Sequence, residues 1–369
     1  MNDDAKLLAL LVHRGLLPAA AARGALASGD AGSFLVRHGL CSGEQWQHWR
    51  RSEAGTRPVL SRYEVGRLLG EGGVGRVFEA RDKTDGRVVA LKVLRSELAG
   101  DPAKVEPFVR EARLLMQLEH PHLVKGYRVA KEGDAIFFAM ELVPGRCLQD
   151  LLGEAAAGGE GAAAGRLDEE SALAVVVEVA AALGELHRHG LVHRDVKPGN
   201  ILWSGERGAV LIDLGFAMAM GSTAVGDTTA GTVHYIAPEQ ARGGGLDVRA
   251  DIYALGATLY HLVTGSLPFS GRTSEEVLAK QVLESLSGER IRALALAPQV
   301  HYFLEKMMAK EREIRFQDTE QLQREVEAFL AQRRYERELE EKAQQARSRP
   351  GAVRRGSLFE SRLKRRRRP

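Results

Sequence analysis

The chain has 369 residues, 44% of them hydrophobic and 27% charged, with two cysteines and a net charge of +3. That length suits one large domain plus an appendage, and the composition is the ordinary one of a soluble globular protein able to bury a large core. Cys41 and Cys147 are too few and too far apart for a disulfide framework or a zinc cluster, which points to a reducing compartment.

No run of eighteen apolar residues occurs; the richest stretch, 172–186, is interrupted by Glu178, Gly184 and Glu185. Asp3 and Asp4, with only Lys6 nearby, do not make the basic flank of a signal peptide, so the expectation is a cytoplasmic protein with no transmembrane segment. Charge is unevenly spread. Residues 331–369 hold fourteen Lys/Arg against five Asp/Glu, a balance of +9 that leaves −6 for the rest.

Residues 1–57 read as a small all-α module. Leu11-Val12-His13-Arg14-Gly15-Leu16 returns twenty-four residues later as Leu35-Val36-Arg37-His38-Gly39-Leu40, each copy after an apolar helical stripe. The predicted unit is helix, glycine, helix, with Gly15 and Gly39 at helix C-termini, and it serves either docking and regulation or packing alone. Trp46 and Trp49, three apart, are read as packing residues. A linker beginning near Glu53 runs through residues 58–62, ahead of a domain spanning 63–330.

Tyr63 to Leu69 alternates like a strand and runs into Gly70-Glu71-Gly72-Gly73-Val74-Gly75. Glycines at 70, 72 and 75 let main-chain N–H groups approach phosphates closely. This spacing also opens dinucleotide folds, but those need a helix next, and Val77 to Ala80 continues as a strand. The strand Val88 to Lys92 ends in a lysine among residues that should be buried, and a buried ammonium is costly unless paired. Glu111, nineteen residues on, lies on the predicted helix 105–118. A further strand, Ala135 to Met140, leads into Glu141-Leu142-Val143.

Residues 153–165, almost all Ala, Gly and Glu, read as a flexible insertion. A long apolar helix, Glu169 to His189, then supports Val192-His193-Arg194-Asp195-Val196-Lys197-Pro198-Gly199-Asn200. Phosphoryl transfer needs a carboxylate to accept a hydroxyl proton, a cation near the migrating phosphate and an amide oxygen for metal. Asp195, Lys197 and Asn200 supply these on one loop. Asp213, after the apolar run Val210-Leu211-Ile212, adds a second carboxylate.

These residues, in this order, resemble the protein-kinase catalytic loop H-R-D-x-x-x-x-N, the metal motif D-F-G, the lysine and helix-glutamate pair and the glycine-rich loop, and identify the chain as a member of the eukaryotic-like (Hanks-type) bacterial Ser/Thr protein kinases. The bacterial attribution rests on the compact Ala/Gly-rich domain. The resemblance implies an α+β, two-lobed fold, with a β-rich N-lobe and a helical C-lobe, using ATP and Mg²⁺ on protein Ser/Thr hydroxyls. It places Leu69, Gly70, Glu71, Gly72, Gly73, Val74 and Gly75 over the phosphates, which Lys92, held by Glu111, grips. It places Val77, Ala90 and Leu202 against adenine, Glu141 and Val143 as the main-chain hinge, and Met140 as gatekeeper. Leu115 would face Leu214 and His193 in an internal apolar column. Cys147, seven residues beyond Met140, would lie at the pocket rim where a helix start lowers a thiol pKa, or be inert there.

Asn200 and Asp213 would hold the metal. Arg194, a bare cation beside Asp195, implies control by phosphorylation of the loop before Ala237-Pro238-Glu239, with Thr228 and Thr229 as acceptors and autophosphorylation in trans as one route. Thr232 matches the position that touches the catalytic Asp and Lys. Asp251 would anchor the catalytic loop, and Arg315 would pair with Glu239. Departures from the family pattern are Leu214 for the usual phenylalanine, Val233 for a frequent proline in the loop that the resemblance places facing the substrate, and Gly199, which offers no carboxylate to a basic substrate. Residues 331–369 would be a charged helix that becomes disordered after Pro350, with Lys364 to Arg368 binding an acidic partner or merely solvated. Two rivals stay open: a nucleotide-binding, pseudokinase-like scaffold acting through its ends, and a kinase of small molecules.

Overall fold

The structure, a computed structural model, describes residues 3–13, 16–49, 58, 60–156, 166–222, 232–286 and 295–348. It divides into two compact units, residues 1–113 with 126–142 and residues 114–125 with 143–369.

The first unit opens with four helices, α1 (Asp3–His13), α2 (Ala19–Ala27), α3 (Ala31–Arg37) and α4 (Gly43–Trp49). Their apolar stripes meet in one core that includes Leu7, Leu11, Leu35, Trp46 and Trp49, so both tryptophans pack inward. The Asp30 carboxylate accepts from Ser33 N at 3.1 Å and caps α3. Gly39 follows the same helix with φ 65, a left-handed value suited to glycine. Its repeat partner Gly15 lies outside the described residues.

Next come β1 (Tyr63–Glu71), β2 (Gly75–Asp82), β3 (Val88–Leu94), α5 (Pro102–Gln117), β4 (Gly126–Glu132) and β5 (Ala135–Glu141). The strands form an antiparallel sheet in the order β1-β2-β3-β5-β4. Register decides which side chains share a face. Val77 opposes Lys92, which opposes Phe138, while Ala90 opposes Met140. Directly opposed and alternate residues point the same way, so Val77, Ala90, Lys92 and Met140 share one face. The other face holds the core of Phe78, Val89, Leu91, Val93, Phe137 and Ala139. Helix α5 starts at Pro102, earlier than predicted, because the Asp101 carboxylate accepts from Ala103 N at 2.9 Å.

In the second unit, β6 (Arg146–Cys147) and α6 (Leu148–Ala156) precede the long α7 (Glu169–Arg188) and β7 (Leu191–Val192). The predicted insertion thus begins within α6, and residues 157–165 lie outside the described residues. β8 (Ile201–Ser204) and β9 (Gly208–Leu211) form a hairpin, and β10 (Met218–Ala219) pairs with β7. Helices α8 (Pro238–Ala241), α9 (Val248–Thr264), α10 (Ser274–Leu283), α11 (Pro298–Met307) and α12 (Thr319–Ser348) complete the unit. α9 is buried at every residue from Ala250 to Val263, a mostly apolar stretch that also encloses Asp251, Thr258 and His261. α12 buries Leu322 and Val326, then runs on with exposed side chains, tied to α7 by the Arg337–Glu170 ion pair. The change expected near residue 330 is one of burial, not of backbone. Residues 349–369 lie outside the described residues.

Candidate active site

In the β-rich unit, Lys92 Nζ donates to both Glu111 oxygens, at 2.7 and 2.9 Å. Glu111 is buried, and a pair so enclosed is favourable only with good geometry, which two-point contact supplies. Lys92 Nζ also lies 5.5 Å from the centroid of the Phe138 ring. The glycine-rich turn closes through Gly72 N to Gly75 O at 2.9 Å. A Cβ at Gly75 would lie 2.6 Å from Val93 O, so only glycine fits against β3 there. Leu69, Glu71, Gly72, Gly73 and Val74 are exposed, whereas Ala90 and Met140 are buried and Val77 and Glu141 partly so.

Arg95, one residue past β3, was missed by sequence reading. Its Nε donates to Gly72 O at 3.0 Å and its Nη2 to Glu71 Oε1 at 2.7 Å, while Arg76 Nε reaches the same carboxylate at 3.2 Å. The turn is thereby clasped to the sheet.

In the helical unit, Lys197 Nζ lies 2.8 and 3.0 Å from the Asp195 carboxylate oxygens. Asn200 Nδ2 donates to Asp195 Oδ2 at 2.9 Å and to Asp195 O at 2.8 Å. With both amide hydrogens engaged, what the Asn200 side chain has left to offer is an oxygen. Asp213, two residues past β9, accepts from Gly215 N at 2.7 Å through Oδ1, and Ile212 N donates to Asn200 O at 3.0 Å, joining the two loops. Among the described residues no group of three or more His, Cys, Asp or Glu is arranged to hold a metal. An amide and a carboxylate oxygen fit a hard cation that completes its shell with phosphate and water, as Mg²⁺ does.

The loop is shaped from below. Asp251 of α9, fully buried, accepts from His193 N and Arg194 N, both at 2.8 Å, and from His187 Nε2 at 2.9 Å. Arg194 has φ 72, the only positive φ outside glycine among the described residues. That conformation costs about 1–2 kcal/mol and persists because Asp251 takes two consecutive amides. Burial works to raise the Asp251 carboxyl, but the hydrogen bond from His187 and the Arg194 amide outweigh it and hold it below its ordinary range. His187 was not singled out from the sequence; in retrospect, a histidine at the end of a helix leading into the loop was its signal.

Two expectations need correction. Arg194 is not a bare cation: its side chain is buried, and Nη1 contacts Met218 Sδ of β10, the strand that pairs with β7. Cys147 does not have a lowered pKa. The amides of Gln149 and Asp150 do pull it down, but burial outweighs them and pushes the thiol up, with Sγ 3.4 Å from Pro198 O.

Leu115, Leu214 and His193 are all buried; Val143 is buried and Leu202 pairs with Cys147 across β8 and β6. Arg315, buried, donates to Glu239 Oε1 and Oε2 at 2.7 and 2.8 Å. Thr232 starts a short 3-10 turn at Thr232–His234, while Thr228 and Thr229 lie outside the described residues.

Residues 63–326 match the family described as protein kinase domain, and the chain belongs to that family. Within it, the similarity is to the eukaryotic-like serine/threonine kinases of bacteria. The chain is 33% identical over 278 residues to the serine/threonine-protein kinase PrkC of Bacillus subtilis, covering 74% of this chain and 42% of that protein. It is 37% identical over 270 residues to the serine/threonine-protein kinase PknB of Mycobacterium leprae, covering 71% and 42%. A probable serine/threonine-protein kinase PknB of Lactococcus lactis is 34% identical over 272 residues, covering 72% and 41%. The chain thus spans about two-fifths of the length of the curated relatives it matches. Among the described residues no helix is long and apolar enough to cross a membrane.

Proposed function

We propose that the chain is a serine/threonine protein kinase that transfers the γ-phosphate of ATP to hydroxyls of proteins and works in the cytoplasm. The observation that carries this reading is the cluster on one loop in which Lys197 and Asn200 both engage the Asp195 carboxylate. A carboxylate so held is oriented to take the proton of an acceptor hydroxyl as the hydroxyl attacks phosphorus. Lys197, a cation within reach, offsets charge on the migrating phosphoryl group. Mg²⁺, when bound, neutralises charge on the phosphates; Asn200 and Asp213 are the residues that would hold it. Lys92, fixed by Glu111, steadies the α- and β-phosphates, and the exposed amides of the glycine-rich turn cover them. Met140, Glu141 and Val143, with Val77, Ala90 and Leu202, receive adenine.

Control is proposed to run through phosphorylation of Thr228 or Thr229, by a second copy in trans. An acidic partner is proposed for the basic run 364–368. The test is phosphate incorporation from Mg-ATP by purified wild type and Asp195→Asn, with acceptor sites mapped by mass spectrometry. Label at Thr228 or Thr229 in wild type alone is the expected result. Nucleotide binding without any protein labelling would turn the reading to a scaffold, and labelling of small hydroxyl compounds alone to a small-molecule kinase.

A further inference from the structure

Helix α10 carries a glutamine, Gln281, with no solvent exposure. A buried amide is costly unless its valences are filled. Here Nε2 donates to His234 O at 2.6 Å and to Val233 O at 3.3 Å, while Oε1 accepts from Tyr253 Oη of α9 at 2.6 Å. Lys310 Nζ donates to the same tyrosine oxygen at 2.9 Å and to Gln281 O at 2.7 Å. Because the two carbonyls can only accept, while the Tyr253 hydroxyl has a proton to give to Oε1, the amide cannot flip. Nε2 has to face the two carbonyls.

Two stretches far apart in sequence, around Tyr253 and Lys310, therefore hold Gln281, which in turn holds the peptide units of Val233 and His234, directly after Thr232. The side chains there are also held: Val233 packs with Ile236 and with Val277 of α10, and His234 Nδ1 is 3.1 Å from Phe269 O. The segment that resemblance places against the substrate thus takes its main-chain course from a glutamine remote from Asp195 in sequence.

We infer that Gln281 is a positioning residue for the polypeptide acceptor, holding Val233 and His234 in the course that receives it, with Tyr253 and Lys310 fixing its amide. This rests on the protein-kinase reading above. Gln281→Met keeps the length and apolar stem and removes both donors. Tyr253→Phe leaves the glutamine and its donors but removes the hydroxyl from which Oε1 accepts, loosening the amide.

The experiment is steady-state kinetics of the full chain with Mg-ATP and a set of synthetic peptides each carrying one threonine, varying ATP and peptide separately. Gln281→Met is expected to raise the peptide KM about tenfold, the loss of two hydrogen bonds to main chain, with kcat and the ATP KM held within about twofold. Tyr253→Phe moves the peptide KM the same way by about threefold. An unchanged peptide KM in a folded variant, or a parallel loss in kcat and ATP KM, overturns the inference. Should Gln281→Met not fold, an unchanged peptide KM in Tyr253→Phe does the same. A wild type that binds nucleotide but labels none of these peptides, nor itself, sinks the kinase reading instead, so the two failures are separable.

Discussion

Removing the Asp251 carboxylate is the sharpest perturbation the structure offers. It accepts three hydrogen bonds at 2.8, 2.8 and 2.9 Å in a site closed to water, two of them from consecutive main-chain amides. Asp251→Ala leaves His193 N and Arg194 N buried without an acceptor, at about 1–3 kcal/mol each. The positive φ at Arg194 then loses its support, and the loop can relax by giving up the conformation that presents Asp195. The expected loss is about 3–5 kcal/mol in urea unfolding. Asp251→Asn retains one acceptor oxygen but turns a donor toward a donor, and should cost about 1–3 kcal/mol. Linkage adds a second signature. The folded carboxyl is held below its unfolded value, so its stabilisation is present above about pH 4 and fades as pH falls. Asp251→Asn should therefore flatten the acid limb of the stability curve. Measurement is by urea titrations between pH 3 and 8, paired with kinase assays. Both variants costing less than about 1 kcal/mol with activity retained would refute the anchoring argument.

Breaking the enclosed ion pair by Arg315→Met should cost about 3–5 kcal/mol, since Glu239 stays behind without its partner; adding Glu239→Gln should recover part of the loss in a double-mutant cycle read by urea unfolding. Iodoacetamide should alkylate Cys147 more slowly at neutral pH than a free thiol, with the rate climbing as pH rises, when followed by mass spectrometry; a faster reaction would contradict the burial argument. Lys310 is lowered to about 8 by burial first and by the nearby Arg315 charge, so between that value and the ordinary lysine pKa the unfolded chain holds more protons. Stability should rise with pH across that window, and Lys310→Met should abolish the rise in thermal melts taken from pH 7 to 10.5.

How far the site could be read in advance depended on how local each cause was. Asp195, Lys197 and Asn200 sit within six positions, so one short loop dictates their meeting, and the pairing of Lys92 with Glu111 follows from a buried ammonium needing a partner on the next helix. The strand after Gly75 separated this glycine-rich turn from a dinucleotide fold because alternation is a local signal. Arg95, by contrast, looked like any surface arginine; its role at Glu71 and Gly72 exists only once β3 returns beside the turn.

Arg194 and Cys147 show the same limit from the other side. Adjacency to Asp195 suggested a bare cation, and a helix start suggested a lowered thiol, yet both inferences omitted burial, which is set by elements arriving from elsewhere in the chain. Gln281 is the extreme case. A glutamine in the amphipathic stretch 274–283 carries no signal by itself, and its meaning depends on Val233, Tyr253 and Lys310. What the sequence determined alone was the order of strands, helices and reactive groups, because periodicity, glycine placement and short-range spacing are properties of neighbouring residues. What only the tertiary structure decided was which polar groups are enclosed and who satisfies them, because desolvation and hydrogen-bond partnership are set by contacts between segments far apart in the chain.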